Sequence, residues 1–145
     1  MKYFGVIVLM FICCKKPNEI NKFTKTNKIP TEDISTLIET SLNSCKNAEQ
    51  YYHLEIKERR NIYIVFNHLE NPLTREIKCY GVPVKEKLGN LKTNDNVIKI
   101  YDCRKISSTK FHLHYRIVNE GADIKLTLEY IKNKWIATDC DVGEV

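Results

Sequence analysis

The chain predicts an α+β fold, with one N-terminal amphipathic helix packed on a curved antiparallel β-meander, and three observations carry that reading. Apolar residues recur once at helical spacing, between Ile34 and Cys45. They alternate with a period of two through most of the C-terminal third, and tight-turn residues separate the alternating runs. A meander with a single apolar face needs a cover, and the one strong helix is the candidate for it.

The helix starts after Pro30. Thr31 offers an N-cap hydroxyl, and Glu32 and Asp33 sit in the first turn, where the helix dipole favours anions. Ile34, Leu37, Ile38, Leu42 and Cys45 then form one apolar stripe with polar residues opposite, which predicts a helix over 32–46. From Tyr51 the period changes to two: Leu54 and Ile56 alternate with His53, Glu55 and Lys57, and the charged run 58–61 turns the chain. Ile62, Ile64 and Phe66 continue as a second strand, and Asn71-Pro72 marks a turn. Ile77 to Val84 reads as a short irregular strand, because Pro83 cannot donate to a ladder. Leu88 and Leu91 flank Gly89-Asn90, a loop or a single helical turn.

Four consecutive strands follow: Val97 to Ser107, Lys110 to Asn119, Asp123 to Lys132 and Lys134 to Val142. Glu120-Gly121 and Asn133 supply the tight turns between the last three. Phe111, Leu113, Tyr115 and Ile117 share one face, and Ile124, Leu126, Leu128 and Tyr130 share one face of the next strand. Trp135 reads as a core anchor. This order of elements, a leading helix, a long meander and a late Trp in NKWIATD, is similar to the cystatin-like and nuclear-transport-factor-like cone folds. The resemblance spans residues 31–145 by element order, and such cones host enzymes, binding pockets and inert scaffolds alike.

The first sixteen residues, MKYFGVIVLMFICCKK, concern address rather than fold. Lys2 is a charged n-region and Tyr3 to Ile12 an apolar h-region of secretory length. A bilayer-spanning helix needs about 20 apolar residues, so this run is too short to remain as a span. Phe11-Ile12-Cys13-Cys14 follows it. The segment resembles the lipobox of bacterial lipoproteins, in which a bulky residue and then a small one precede a cysteine that is diacylated and becomes the mature N-terminus. With Cys14 as the lipidated residue, Phe11 takes the bulky position and Cys13 the small one. With Cys13 modified instead, Ile12 would have to enter the peptidase's small pocket. The resemblance implies a palmitate-type acyl modification at Cys14 and a lipid-anchored place in the bacterial cell envelope, on the periplasmic side of the outer membrane. An ordinary signal peptide is the alternative.

Residues 1–13 thus read as a signal peptide, 14–30 as a flexible basic tether and 31–145 as a single α+β domain of a size that supports one core. With 43% hydrophobic and 10% aromatic residues, wholesale disorder is excluded. The formal charge of +5 is confined to the leader and the tether. Residues 15–30 hold Lys15, Lys16, Lys22, Lys25 and Lys28 against Glu19, whereas 31–145 carry 17 basic and 17 acidic side chains. The tether lysines either face anionic headgroups, at about 1 kcal/mol each, or simply extend a solvated linker. A neutral domain without a basic, aromatic-interleaved stripe argues against nucleic acid as a partner.

Candidate chemistry is sparse. His112 and His114 form an H-x-H on a strand and share a face, as metal ligands require, with Asp139 or Asp141 as a third ligand. The competing reading is a solvated strand face, and no metal site is assigned. Asp139 and Asp141 could form a carboxylate pair but read as surface charges. The sequence has no G-x-S-x-G, H-E-x-x-H, C-x-x-C or Gly-rich phosphate loop, so no catalytic residue and no cofactor is assigned. Cys45, Cys79, Cys103 and Cys140 permit two disulfides in three connectivities, or remain buried thiols. The expected function is a non-enzymatic, membrane-tethered binding or structural domain of the envelope, including the immunity or inhibitor type. Its partners would be the membrane, through the lipid, and a protein, with oligomeric state left open. The alternative is a cone-fold enzyme or small-ligand carrier, which requires His112, His114 and several of Tyr51, Tyr52, Tyr63, Tyr80, Tyr101, Tyr115 and Tyr130 to converge on one pocket.

Overall fold

The computed structural model describes residues 32–67, 70–86, 92 and 94–145. The expected signal peptide and tether, with Cys13 and Cys14, lie outside the described residues, as do the Thr31 cap and the loop of Leu88 to Leu91. The described chain is mixed α/β, a curled seven-stranded sheet with few helices.

Helix α1 spans Ile34–Leu42 and its cap is Asp33, whose extended backbone lets the carboxylate accept from the Ser35 N–H at 3.3 Å. It is shorter than the expected 32–46. A nine-residue helix is marginal on its own, so packing sustains it. Leu37, Ile38 and Leu42 are fully buried, each contributing about 1.5–3 kcal/mol. Ser35 is buried as well, and its hydroxyl accepts from the Thr74 N–H at 2.9 Å. The helix stops where Asn43 turns its side chain to the sheet. Cys45 then leads into the short α2, Lys46–Glu49.

Residues 50–60 form no strand, contrary to the expectation for Tyr51 to Lys57. Two 3₁₀ turns, Gln50–Tyr52 and Lys57–Arg60, flank His53, which has a left-handed backbone at φ 47°. The apparent alternation misleads because one aromatic dominates the segment. Tyr52 is fully buried while Ile56 stays 44% exposed. The buried Asn96 amide donates to the carbonyls of Tyr52 (2.7 Å) and Arg59 (2.6 Å), which fixes both turns.

The strands are β1 (Ile62–Phe66), β2 (Ile77–Cys79), β3 (Val82–Glu86), β4 (Asn96–Ser107), β5 (Lys110–Ile117), β6 (Ala122–Ile131) and β7 (Lys134–Glu144). Their order in the sheet is β2-β3-β1-β4-β5-β6-β7. β4 to β7 form an antiparallel meander, but β1 runs parallel to both of its neighbours, β3 and β4. A wholly antiparallel sheet is therefore corrected. Period-two patterning fixes which face of a strand is buried, not its direction or its neighbour. The expected irregular strand 77–84 is a β2–β3 hairpin, turned at Tyr80-Gly81 with both φ positive. The β6–β7 hairpin turns the same way at Lys132-Asn133. At the β5–β6 turn Gly121 has φ 65°, and a Cβ there would meet the Val145 carbonyl oxygen at 2.9 Å.

The sheet's inner face carries the core. Ile62, Ile98, Phe111, Leu113, Tyr115, Ile124 and Leu128 lie beneath α1 and Tyr52. Tyr52 donates to the Tyr115 hydroxyl at 3.3 Å, satisfying two buried phenols. Among the described residues one disulfide joins Cys45 to Cys140, tying the end of α1 to β7, while Cys79 and Cys103 are free. Trp135 is half-buried rather than a core anchor. It tilts against Tyr130 at 5.5 Å, on the last inward-facing pair before the hairpin, where the inner face runs out.

The outer edge of β2 is capped by α1 side chains. Glu39 Oε1 accepts from the Lys78 N–H at 2.9 Å, Asn43 Nδ2 donates to the Lys78 carbonyl at 2.9 Å, and Asn43 Oδ1 accepts from the Tyr80 N–H at 2.5 Å. Two helix residues thus stand in for a neighbouring strand. Asn43→Ala is expected to cost about 1 kcal/mol in urea unfolding, since the freed groups are exposed to water. A second expectation concerns Asp33, whose carboxyl is held below its ordinary 3.8 chiefly by the Thr74 hydroxyl. A lowered folded pKa stabilises the fold above the unfolded value, and that contribution is lost as pH falls through the folded one. Carboxyl NMR of Thr74→Val should show Asp33 titrating closer to 3.8 than it does in the parent chain.

Candidate functional site

The outer face of β4, β5 and β6 carries the densest set of functional side chains among the described residues. On β5, Phe111, Leu113, Tyr115 and Ile117 point inward, which turns Lys110, His112, His114 and Arg116 outward. On β4 the alternation breaks. The register with β5 shifts between Ile100 and Asp102, leaving Tyr101 as an extra residue. This bulge places both Tyr101 and Asp102 on the outer face.

Around His114 the groups interlock. Tyr101 stacks on its ring at 5.1 Å with a 30° interplanar angle. His114 Nε2 lies 3.0 Å from Asp123 Oδ2, while Arg116 donates to Asp123 Oδ1 through Nε (3.3 Å) and Nη2 (3.2 Å). Asp123 is thereby shared between the His114 ring and the Arg116 guanidinium. Lys99 Nζ and the Arg116 guanidinium both approach the Tyr101 ring, at 5.3 and 5.6 Å. Beside this group Asp102 Oδ2 holds Arg104 Nε at 3.1 Å and lies 3.9 Å from His112 Nε2. Each carboxylate in the row already has a cationic partner.

The structure brings His112 and His114 to one face but keeps Asp139 and Asp141 away from them. Asp139 pairs with Thr127 and Asp141 with Lys125, one strand beyond the histidines' own neighbours. Two strand spacings amount to about 10 Å. The carboxylates next to the histidines are Asp102 and Asp123, and among the described residues no three His, Cys, Asp or Glu side chains cluster as metal ligands. Sequence reasoning named Tyr101 among the candidates but missed Asp102, because a bulge leaves no signature in residue type. Asp123 was within reach, since the β5–β6 turn sets Arg116 opposite it.

The tyrosines do not converge with the histidines. Tyr52 and Tyr115 are buried on the inner face, Tyr80 donates to the Cys45 carbonyl at 3.0 Å, and Tyr51 reaches Glu144 at 3.1 Å. Tyr101 alone joins the histidine row. The expected Tyr/His-lined pocket is therefore not formed, because alternation along β5 sends Tyr115 and His114 to opposite sides of the sheet. A cleft of about 520 Å³ lies elsewhere, between the segment 73–77 and strands β1 and β3, with Tyr63, Leu73, Arg75, Pro83 and Lys85 on its walls. It holds one of the seven tyrosines and neither histidine.

The thiols are poor nucleophiles. Burial pushes Cys79 up to about 12, and burial together with the charge of Asp102 raises half-buried Cys103. No protein-family model, curated protein or solved structure matches the chain. Alkylation of the folded protein followed by peptide mapping is expected to label Cys103 slowly and Cys79 only after unfolding, with Cys45 and Cys140 blocked until reduction. Rapid labelling of Cys79 in the folded state would contradict its placement in the core.

Proposed function

We propose that this chain is a lipid-anchored bacterial envelope protein whose domain is a non-enzymatic binding module, presenting the outer face of β4–β6 to a protein partner. The observation that carries the reading is the state of that face. Tyr101, His112, His114, Arg104 and Arg116 share the outer face, where Asp102 and Asp123 pair with the histidines and arginines and Tyr101 stacks on His114. Aromatic and arginine side chains held rigid before contact are what protein interfaces favour, because less conformational entropy is lost on binding. The concave side, which a carrier of the cone type would use, is filled by Tyr52, Phe111 and Tyr115.

Two further features support the address. A disulfide between residues 95 positions apart suits an oxidising compartment such as the periplasm. The leader ends at Cys13-Cys14, with Cys14 better placed for acylation, and several acyl chains hold a protein at a membrane where one binds only marginally. A flexible tether over 14–30 then gives a reach of about 20–25 Å, which keeps the binding face close to the bilayer. The immunity or inhibitor type is the narrower form of the same reading.

Mass spectrometry of the N-terminal peptide from fractionated cells tests the anchor. The parent chain is expected in the membrane fraction, beginning at an acylated Cys14, and Cys14→Ser is expected to lose both the lipid and the membrane association. A mature chain in the soluble fraction that starts at unmodified Lys15 or later would overturn it.

A further inference from the structure

The two edges of the sheet are treated differently. The β2 edge is capped by Glu39 and Asn43, whereas β7, eleven residues long, forms the other edge, and among the described residues no strand pairs with its outer side. An open edge of that length is a template for another strand. Charge divides along it: Lys132 and Lys134 stand at the hairpin end, and Asp139, Asp141 and Glu144 toward the C-terminus. Run antiparallel, this strand complements itself, and no partner of uniform charge matches both of its ends. Ile136, 42% exposed on the outer face, adds apolar surface beside the edge.

We propose that β7 pairs antiparallel with β7 of a second copy of this chain, joining the two sheets into one across a two-fold axis. The inference goes beyond the binding reading above and stands whether or not the chain carries lipid. The bulge selects the register. Directly opposed residues of an antiparallel pair point to the same side. Trp135 and Ala137 face inward before the bulge, and Cys140 and Val142 face inward after it, because the register with β6 shifts at Thr138. The flanks match when Trp135 opposes the partner's Val142 and Ala137 the partner's Cys140. Lys134 then opposes the partner's Gly143, where the Cβ position is open, and lies diagonal to the partner's Asp141 on the outer face. Beside the axis residues 44–47 and 137–140 line a shallow depression of about 270 Å³, with Cys45 bonded to Cys140. The two outer faces end on the same side of the joined sheet.

Sedimentation of the full-length chain in density-matched detergent tests this. The expected result is a concentration-dependent species of twice the mass of the purified chain, detergent excluded. Lys134→Glu or Asp141→Lys alone replaces two attractive pairs with two like-charge pairs and should weaken self-association about tenfold. An equimolar mixture of the two variants should restore it. In the mixed dimer the introduced glutamate of one chain faces the introduced lysine of the other, and the unaltered Lys134 and Asp141 face each other. The same polypeptides weaken alone and recover together, so misfolding cannot produce the pattern. A monomer up to millimolar concentration overturns the proposal. So does a dimer indifferent to either substitution, or a mixture no tighter than its components.

Discussion

The apolar inner face of a seven-stranded curled sheet has to be covered by about thirty residues, and everything else in this structure follows from how that cover is held. The covering segment, residues 32–61, contains one nine-residue helix, a four-residue helix and two 3₁₀ turns. Elements this short do not persist by propensity. Side chains fasten the segment instead. Tyr52 meets Tyr115 in the core, Asn96 holds the carbonyls on both sides of His53, Glu39 and Asn43 close the β2 edge, and Cys45 is bonded to Cys140. On the loop-entropy account, a cross-link across 95 residues contributes about 4–5 kcal/mol, comparable to the whole stability of a small domain.

That cover accounts for the division of labour between the two faces. Once Tyr52, Phe111 and Tyr115 fill the concavity, the hollow that would suit a small ligand is occupied by core. The other face is free to carry polar groups, and β4, β5 and β6 put opposite charges side by side there. Asp123 serves two side chains at once, since His114 and Arg116 both reach it from β5. Partly exposed ion pairs of this kind add little to stability. Their effect is on order: a shared carboxylate and a stacked tyrosine leave His114 with few rotamers to lose when something lands on it.

The extent to which this was legible in the sequence follows from what periodicity encodes. Burial alternation marked β4 to β7 to within a few residues, and the His112/His114 face came with it, because side-chain direction is a property of the strand itself. The parallel placement of β1 was not legible, since Ile62, Ile64 and Phe66 would read the same in either direction. Tyr51 to Lys57 misled because Leu54 and Ile56 alternate by coincidence, while the residue that decides the segment is Asn96, some forty positions away. The cysteines permitted several pairings. The one formed depends on α1 ending at Leu42, a boundary set by the engagement of Asn43 with β2 rather than by helix propensity.

Two of the register shifts, at Tyr101 and at Thr138, show most directly why residue type alone fell short at the functional surfaces. Each inserts one residue and reverses the facing of those that follow, on β4 as far as the next shift between Lys105 and Ser107. At Tyr101 the insertion keeps two successive residues on the polar face: Tyr101 would stack toward His114 by alternation alone, but without the extra residue Asp102 and Arg104 would both turn inward, away from His112 and His114, and Cys103 would turn outward. At Thr138 the insertion returns Cys140 to the inner face, where it can reach Cys45. Without that extra residue Asp139 and Asp141 would point into the core and Cys140 into solvent. The disulfide that secures the cover and the charge pattern along the open edge thus depend on the same inserted residue.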